Sequence, residues 1–252
     1  MIMRTKQIIE KILNKLNFFH KNNFKKTEYN TFFEGILLSQ IANNKDLTIV
    51  QVGANDGVIG DPIHNFMLKF NGKIKLLAVE PQMEVFEQLK KNYSNIDNVF
   101  FSQRAIGDKS EKEFYSFNRN YSKFHSTKNT FDRHSSFEKD HLLKYLRNHS
   151  IKEENFHHYL NINKIKSVTL SEAIDESKAN FSEIDVLQID AEGHDDIVIY
   201  NSSIDKYKFK FINYEFKQLS KERLENLHLF LKKYGYEIIR WKKSDETAYI
   251  VK

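Results

Sequence analysis

The chain has 252 residues, 40% of them hydrophobic and 29% charged, with a formal net charge of +5. That is a globular balance, long enough for one sizeable core. The absence of cysteine excludes disulfides and thiolate metal sites and suits a cytoplasmic setting. No apolar run reaches the roughly 18 residues of a transmembrane helix, and the N-terminus lacks the apolar stretch of a signal peptide.

Residues 4 to 20 place Ile8, Ile9, Ile12, Leu13, Leu16 and Phe19 at helical spacing, and 29 to 43 predict a second helix. We read residues 1–45 as a packed helical extension rather than a membrane-surface element. From 46 to 252 the pattern becomes regular. Strands are predicted at 47–52, 74–79, 98–105, 112–117, 166–169, 184–189 and 209–215. Helices are predicted at 61–71, 82–93, 171–178, 194–203 and 220–233, and a β-hairpin closes the chain. Alternating apolar strands and amphipathic helices imply an α/β, Rossmann-like fold: a mostly parallel sheet with helices on both faces and antiparallel pairing at the end. The segment from about 118 to 165 reads as an insert. It holds nine Lys/Arg against five Asp/Glu, and six of the ten histidines. It is either a solvated helical insert or a lid facing an anionic substrate.

Ligands of such sheets bind at the carboxyl ends of the strands. Gly53-Ala54-Asn55-Asp56-Gly57 ends the first predicted strand, Glu80-Pro81 the second and Ala105-Ile106-Gly107-Asp108 the third. Asp190-Ala191-Glu192-Gly193 and Glu215 end two later ones. Glycines at 53 and 57 permit unusual torsions and close approach. Asn55 and Asp56 offer polar ends, and Glu80 stands where a carboxylate accepts two bonds from a ribose diol. Either NAD or S-adenosylmethionine would fit. A dinucleotide fingerprint wants G-x-G-x-x-G. Asn55 occupies the second glycine position and would crowd a pyrophosphate, and no tyrosine has a lysine four residues later. Both points favour S-adenosylmethionine.

The segments "VQVGANDGVIGDP", "LLAVEP", "AIGDKSEKEFY", "SSF", "VTL", "EIDVLQIDAEGHD", "INYEF", "GYEII" and "DETAY" stand in the order of the FkbM-type methyltransferases. From about residue 47 to 250 the chain resembles that family, closest to its branch with "GANDG" followed by "DP". The resemblance implies a class I methyltransferase with a seven-stranded sheet. It places Gly53, Ala54, Asn55 and Gly57 at the methionine part of the cofactor and Glu80 at the ribose. It places Arg104, Ala105 and Ile106 by the adenine, and Asp190 near the methionine amine or the acceptor. Gln51 departs from the pattern, since many members are acidic there.

Methyl transfer to oxygen requires a positioned hydroxyl and removal of its proton. His194 is the candidate base, and as a helix-start residue it could equally cap or pack. Glu192 could bond the turn backbone or the substrate. Asp190 and Glu215, at neighbouring strand ends, could hold Mg2+ or Mn2+. The insert histidines His125, His134, His141 and His149, with the adjacent pair His157-His158, show no tight zinc spacing. Ser135 and Ser136 precede a helix and could cap it. In relatives the "SSF" segment covers the active site, which makes His134, Ser135 and Ser136 substrate candidates. Asp245 and Glu246 lie in the final hairpin, whose loop could close the same cleft.

The expected activity is O-methyl transfer to a sugar hydroxyl, on a nucleotide-activated sugar or a bacterial surface glycan such as capsule or lipooligosaccharide. A phosphorylated small molecule or natural product is the alternative acceptor. Nitrogen is disfavoured because no N-P-P-Y motif follows the fourth strand. A basic nucleic-acid-binding protein is the reading from another class, against which the basic residues form no stripe. A homodimer is compatible with the sequence but not read from it.

Overall fold

The structure, a computed structural model, describes residues 31–42, 46–118, 134–241 and 243–250. The expected helix at 4–20 and His125 lie outside these residues. The chain divides into two compact units, Met1–Leu47 and Thr48–Lys252. Helix α1 (Thr31–Ala42) of the first unit buries Phe33, Ile36, Leu37 and Ile41, a spacing that marks one helical face.

The second unit is built on a seven-stranded sheet in the order β3-β2-β1-β7-β8-β10-β9. Its strands are β1 (Leu47–Val52), β2 (Ile74–Val79), β3 (Val99–Ser102), β7 (Val186–Ile189), β8 (Phe211–Glu215), β9 (Tyr236–Arg240) and β10 (Asp245–Ile250). β1 with β7, β7 with β8, and β2 with β3 pair parallel, while β10 runs antiparallel to β8 and β9. The central strands read "LTIVQV" and "VLQI" because both faces are covered, so they need no alternation. Helices α2 (His64–Lys69), α3 (Met83–Asn92), α6 (Leu170–Ser177), α7 (Asp195–Tyr200), α8 (Ile204–Tyr207) and α9 (Lys221–Lys233) connect them. α6 has the clearest start: Thr169 accepts the Glu172 N–H, and the Glu172 side chain bonds back to the Thr169 N–H.

The insert is not simply helical. β4 (Glu111–Phe117), β5 (Ser135–Ser136) and β6 (Leu160–Lys166) form a separate antiparallel sheet in the order β5-β4-β6. Helix α4 (Lys139–Asn148), a 3-10 turn at Glu153–Asn155 and the short α5 (Phe156–Tyr159) complete it. Leu142, Leu146, Phe156 and Tyr159 pack on Tyr115 and Phe117 as a second small core. The strand expected at 166–169 is displaced to 160–166, where it pairs along all of β4. Val168 keeps a single bridge to Ile106. The helix expected from 61 starts at His64, because Asp61 Oδ1 accepts the Ile63 and His64 N–H groups in a turn ahead of it, at 2.6 and 3.1 Å. The helix expected over 194–203 ends at Tyr200 and restarts at Ile204.

Candidate active site

Strand order reverses beside β1: its sequence successors lie on one side and β7 on the other. The turns after β1 and β7 therefore meet. A Cβ on Gly53 would stand 1.9 Å from the Asp190 carbonyl oxygen, and Gly53 has φ +76°. Gly53 is thus required by strand-to-strand contact, with positive φ as a second reason. A cavity of about 400 Å³ opens at this switch point.

The predicted residues divide clearly. Gly53, Ala54, Asn55, Glu80, Pro81, Arg104, Ala105 and Ile106 line the cavity, as do Asp190, Glu192, His194, His134, Ser135 and Ser136. Asp56 and Gly57 do not. Asp56 Oδ1 accepts the Val58 and Ile59 N–H groups at 3.1 Å each and so shapes the turn. A Cβ on Gly57 would lie 2.2 Å from the Tyr93 ring, so this glycine makes room for Tyr93. Glu215 lies off the lining but within 4.8 Å of Asp190 and Glu192, ligand atom to ligand atom.

On the β1–β2 side, Glu80 is buried. Oε2 accepts the Asn55 N–H at 3.0 Å and Oε1 the Gln82 N–H at 2.9 Å. Burial pushes its carboxyl up to about 7, against the pull of those two bonds. Each oxygen retains a lone pair for a ligand hydroxyl. Asn55 holds φ 51°, which presents its N–H to Glu80.

Asp61 is the residue that sequence reasoning missed. It lines the cavity, Tyr93 donates to Oδ2 at 3.3 Å, and Gln51 stands beside it. The residue is partly exposed, but its carboxyl end is enclosed, and burial holds it above the usual range. Gln51 is neutral, where the family resemblance led us to expect an acidic residue. The structure returns a carboxyl to that corner from ten residues downstream. The "DP" after the glycine turn was the available signal.

On the β7 side, Asp190 opens on the cavity. Enclosure by the wall, then the charges of Glu192, Asp195, Glu215 and Asp245, raise its carboxyl well above the ordinary range. The Asp190 residue is itself exposed, so the like charges sustain the direction more than enclosure does. Asp195 is fully buried and ties two strand ends together: Oδ1 accepts the Glu215 N–H at 3.0 Å and Oδ2 the Ala191 N–H at 3.3 Å. His194 precedes α7, is 5% exposed and lies against Phe137 with ring centroids 4.9 Å apart. Its Nδ1 is buried without a hydrogen-bond partner, 4.0 Å from Glu138 Oε1. Arg223 braces this turn, donating to the Gly193 carbonyl at 2.8 Å and pairing with Asp196.

The insert supplies the remaining wall. Ser136 is 1% exposed, donates to the Glu192 carbonyl at 2.7 Å and accepts the Glu138 N–H, so its hydroxyl is committed to structure. Glu192 Oε1 meets His134 Nδ1 and Oε2 meets His141 Nε2, each at 2.8 Å. Burial pushes the Glu192 carboxyl up, but these two imidazoles outweigh it and bring it down to about 2. Arg104 turns outward to an exposed ion pair with Glu176 at 2.8 Å, leaving its backbone on the wall. Asp245 pairs in register with Glu215 and adds charge to the group. Glu246 does not join it: its carboxylate is buried with Tyr214, His228 and Arg240.

This sheet order, with the cavity at its reversal and a terminal antiparallel hairpin, is the class I methyltransferase architecture. Residues 51–238 match the family model for the methyltransferase FkbM domain. The chain belongs to the FkbM methyltransferase family and is an S-adenosylmethionine-dependent methyltransferase. No curated protein matches it. Among solved structures, the METTL16 MTase domain aligns over 91% of this chain and 71% of its own, at 10% identity and TM-score 0.46. The Methanococcus jannaschii fibrillarin pre-rRNA processing protein aligns over 82% and 67%, at 13% identity and TM-score 0.40. Aeropyrum pernix fibrillarin, in complex with natively bound S-adenosyl-L-methionine, aligns over 82% and 67%, at 11% identity and TM-score 0.40. No described helix is long and apolar enough to cross a membrane.

Proposed function

We propose that this enzyme methylates a sugar hydroxyl, with S-adenosylmethionine on the β1–β3 side of the cavity and the acceptor between the β7 turn and the insert. The observation that carries the cofactor half of the reading is the pair of enclosed carboxyls, Asp61 and Glu80, whose partners are mostly backbone N–H groups. Carboxyls in a cavity wall with no cationic side chain against them favour a cationic ligand and oppose a pyrophosphate. Glu80 takes the ribose hydroxyls and Asp61 the ammonium end, with Asn55 beside them. The cofactor supplies a methyl already activated on a sulfonium. In the transfer the carbon–sulfur bond breaks, the carbon–oxygen bond forms, and the hydroxyl proton passes to a ring nitrogen of His194.

The wall also bears on the acceptor. Arg104 is the one Lys or Arg among the described lining residues, and it is paired outward. That supports an uncharged sugar ring facing the methyl, on a glycan or as the sugar part of a nucleotide-activated donor. A phosphorylated small molecule is the alternative acceptor, and the sequence shows no basic stripe of the kind that binds nucleic acid. Asp190, Glu192 and Glu215 form an all-oxygen group suited to Mg2+ or Mn2+.

Calorimetric titration with S-adenosylhomocysteine and, separately, NAD tests the cofactor half; micromolar affinity for the first alone is expected. Methyl transfer from labelled S-adenosylmethionine to surface glycans, nucleotide sugars and phosphorylated small molecules tests the acceptor. Labelling of the third class alone would overturn the sugar reading. A salt-sensitive shift of mixed RNA or DNA would favour the nucleic-acid reading.

A further inference from the structure

Three side chains far apart in sequence converge at the cavity wall. His134 comes from the residue before β5, His141 from α4 and Glu192 from the turn after β7. Each offers one donor atom, and these atoms all lie within 4.8 Å of one another. Glu192 is aimed there at a cost: it holds φ 49°, followed by Gly193 at φ 92°, and Ser136 pins its carbonyl. A non-glycine residue in this region costs on the order of 1 kcal/mol, and such strain gathers at functional sites.

One arm of the group is paired, His134 Nδ1 with Glu192 Oε1 at 2.8 Å, and the other is not aligned in the same way. His141 Nε2 stands 2.8 Å from Glu192 Oε2, close enough for one ion to be shared, at an angle that is not an aligned hydrogen bond. Two donors sharing one ion stand about 3 Å apart, with each lone pair directed at the ion rather than at the other donor. The surroundings add to the argument. Asp190 and Glu215 group with the same Glu192, so excess negative charge stands on one side of the imidazoles.

We propose that His134 Nδ1, His141 Nε2 and the Glu192 carboxylate form a binding site for one divalent transition-metal ion. Two imidazole nitrogens with one carboxylate suit Zn2+, Mn2+ or Co2+, whereas Mg2+ and Ca2+ prefer all-oxygen sets. Three protein donors leave coordination positions for an acceptor oxygen. An acceptor hydroxyl held there is made more acidic, which helps His194 remove its proton. This role rests on the methyl-transfer reading above; the binding site itself does not.

The test uses the full chain, stripped with a chelator and titrated calorimetrically with Zn2+ and with Mg2+. Co2+ serves as a visible-absorption probe of the ligand set. One equivalent of Zn2+ is expected, bound at least about 100-fold tighter than Mg2+. His134→Ala and His141→Ala should each weaken Zn2+ by about 100-fold or more, since loss of outer partners alone costs about 10- to 100-fold. Each should also change the Co2+ spectrum. S-adenosylhomocysteine affinity, measured on the same samples, reports that the fold is intact and separates failure of this site from failure of the cofactor assignment. The proposal is overturned if the folded protein binds no Zn2+. It is equally overturned if both histidine variants bind Zn2+ as the parent does, or if Asp190→Asn and Glu215→Gln alone abolish binding.

Discussion

Glu80 and Glu192 line the same cavity, one after β2 and one after β7. Burial displaces both carboxyls upward, yet the first ends at about 7 and the second at about 2. Their partners make the difference. Glu80 receives two backbone N–H dipoles, which offset only part of its desolvation, whereas two imidazoles stand 2.8 Å from the Glu192 oxygens. One side of the cavity therefore has a carboxyl with backbone partners only, and the other has a carboxyl set among side chains of the insert. On the proposed reading, the first belongs to the cofactor and takes its compensation from the bound molecule, and the second faces the acceptor.

The largest expected effect breaks the joint between the two sides. Gly53→Ala would drive a methyl into the Asp190 carbonyl at 1.9 Å, in a backbone region closed to most side chains. Overpacking and left-handed strain together should cost about 3 kcal/mol. Urea unfolding should show that loss, and S-adenosylhomocysteine binding should disappear with it. A variant as stable as the parent would mean that the strand ends can separate freely.

Next comes a change confined to the acceptor side. His194→Ala should lower turnover by about 10²- to 10⁴-fold, the range for a general base, and leave S-adenosylhomocysteine affinity within about threefold. Full activity would reduce His194 to a residue that packs on Phe137. The matching change on the cofactor side is Glu80→Ala. Removing a carboxylate proposed to accept two ribose hydroxyls should weaken S-adenosylhomocysteine by about 100-fold, with little effect on the acceptor KM. Unchanged affinity would withdraw the ribose assignment.

The two sides were not equally legible in the sequence. Runs such as "LTIVQV" and "LLAV" are buried on both faces, so local composition already identifies parallel strands, and the residues after them fall at the cavity. Glu80 and Gly53 could be read this way, although Gly53 proves necessary for strand contact before any ligand arrives. Asp61 was read as a helix start because Asp-Pro is a common opening, but its oxygens serve a turn and the helix begins later. The acceptor side depends on pairings distant in sequence. β6 is mostly exposed along both faces, so no hydrophobic alternation announced it, and only β4 defines it. The spacing of His134 and His141 carries no ligand pattern, because a strand and a loop separate them and the third member lies in another turn.

The last comparison is one of pH, and it isolates Glu80. In the free protein its carboxyl is lifted from 4.5 to about 7. A folded value above the unfolded one means that the protonated group stabilises the protein fully below about pH 4.5. That contribution, about 3 kcal/mol for a buried group, is lost as pH rises through about 7. If Glu80 takes the ribose as proposed, the hydroxyls donate to the ionised form, so binding favours the very state that burial resists. Cofactor binding at about pH 6 should therefore release a proton, and at about pH 8 should not. S-adenosylhomocysteine affinity should rise by about tenfold between these values, one pH unit being worth about 1.4 kcal/mol. Calorimetry in buffers of different ionisation heat would measure both the affinity and the protons released. Glu80→Gln should flatten the profile, because the amide does not titrate. A flat profile in the parent protein would show that no hydroxyl of the ligand reaches this carboxylate, and the proposed difference between the two sides would fail on its cofactor half.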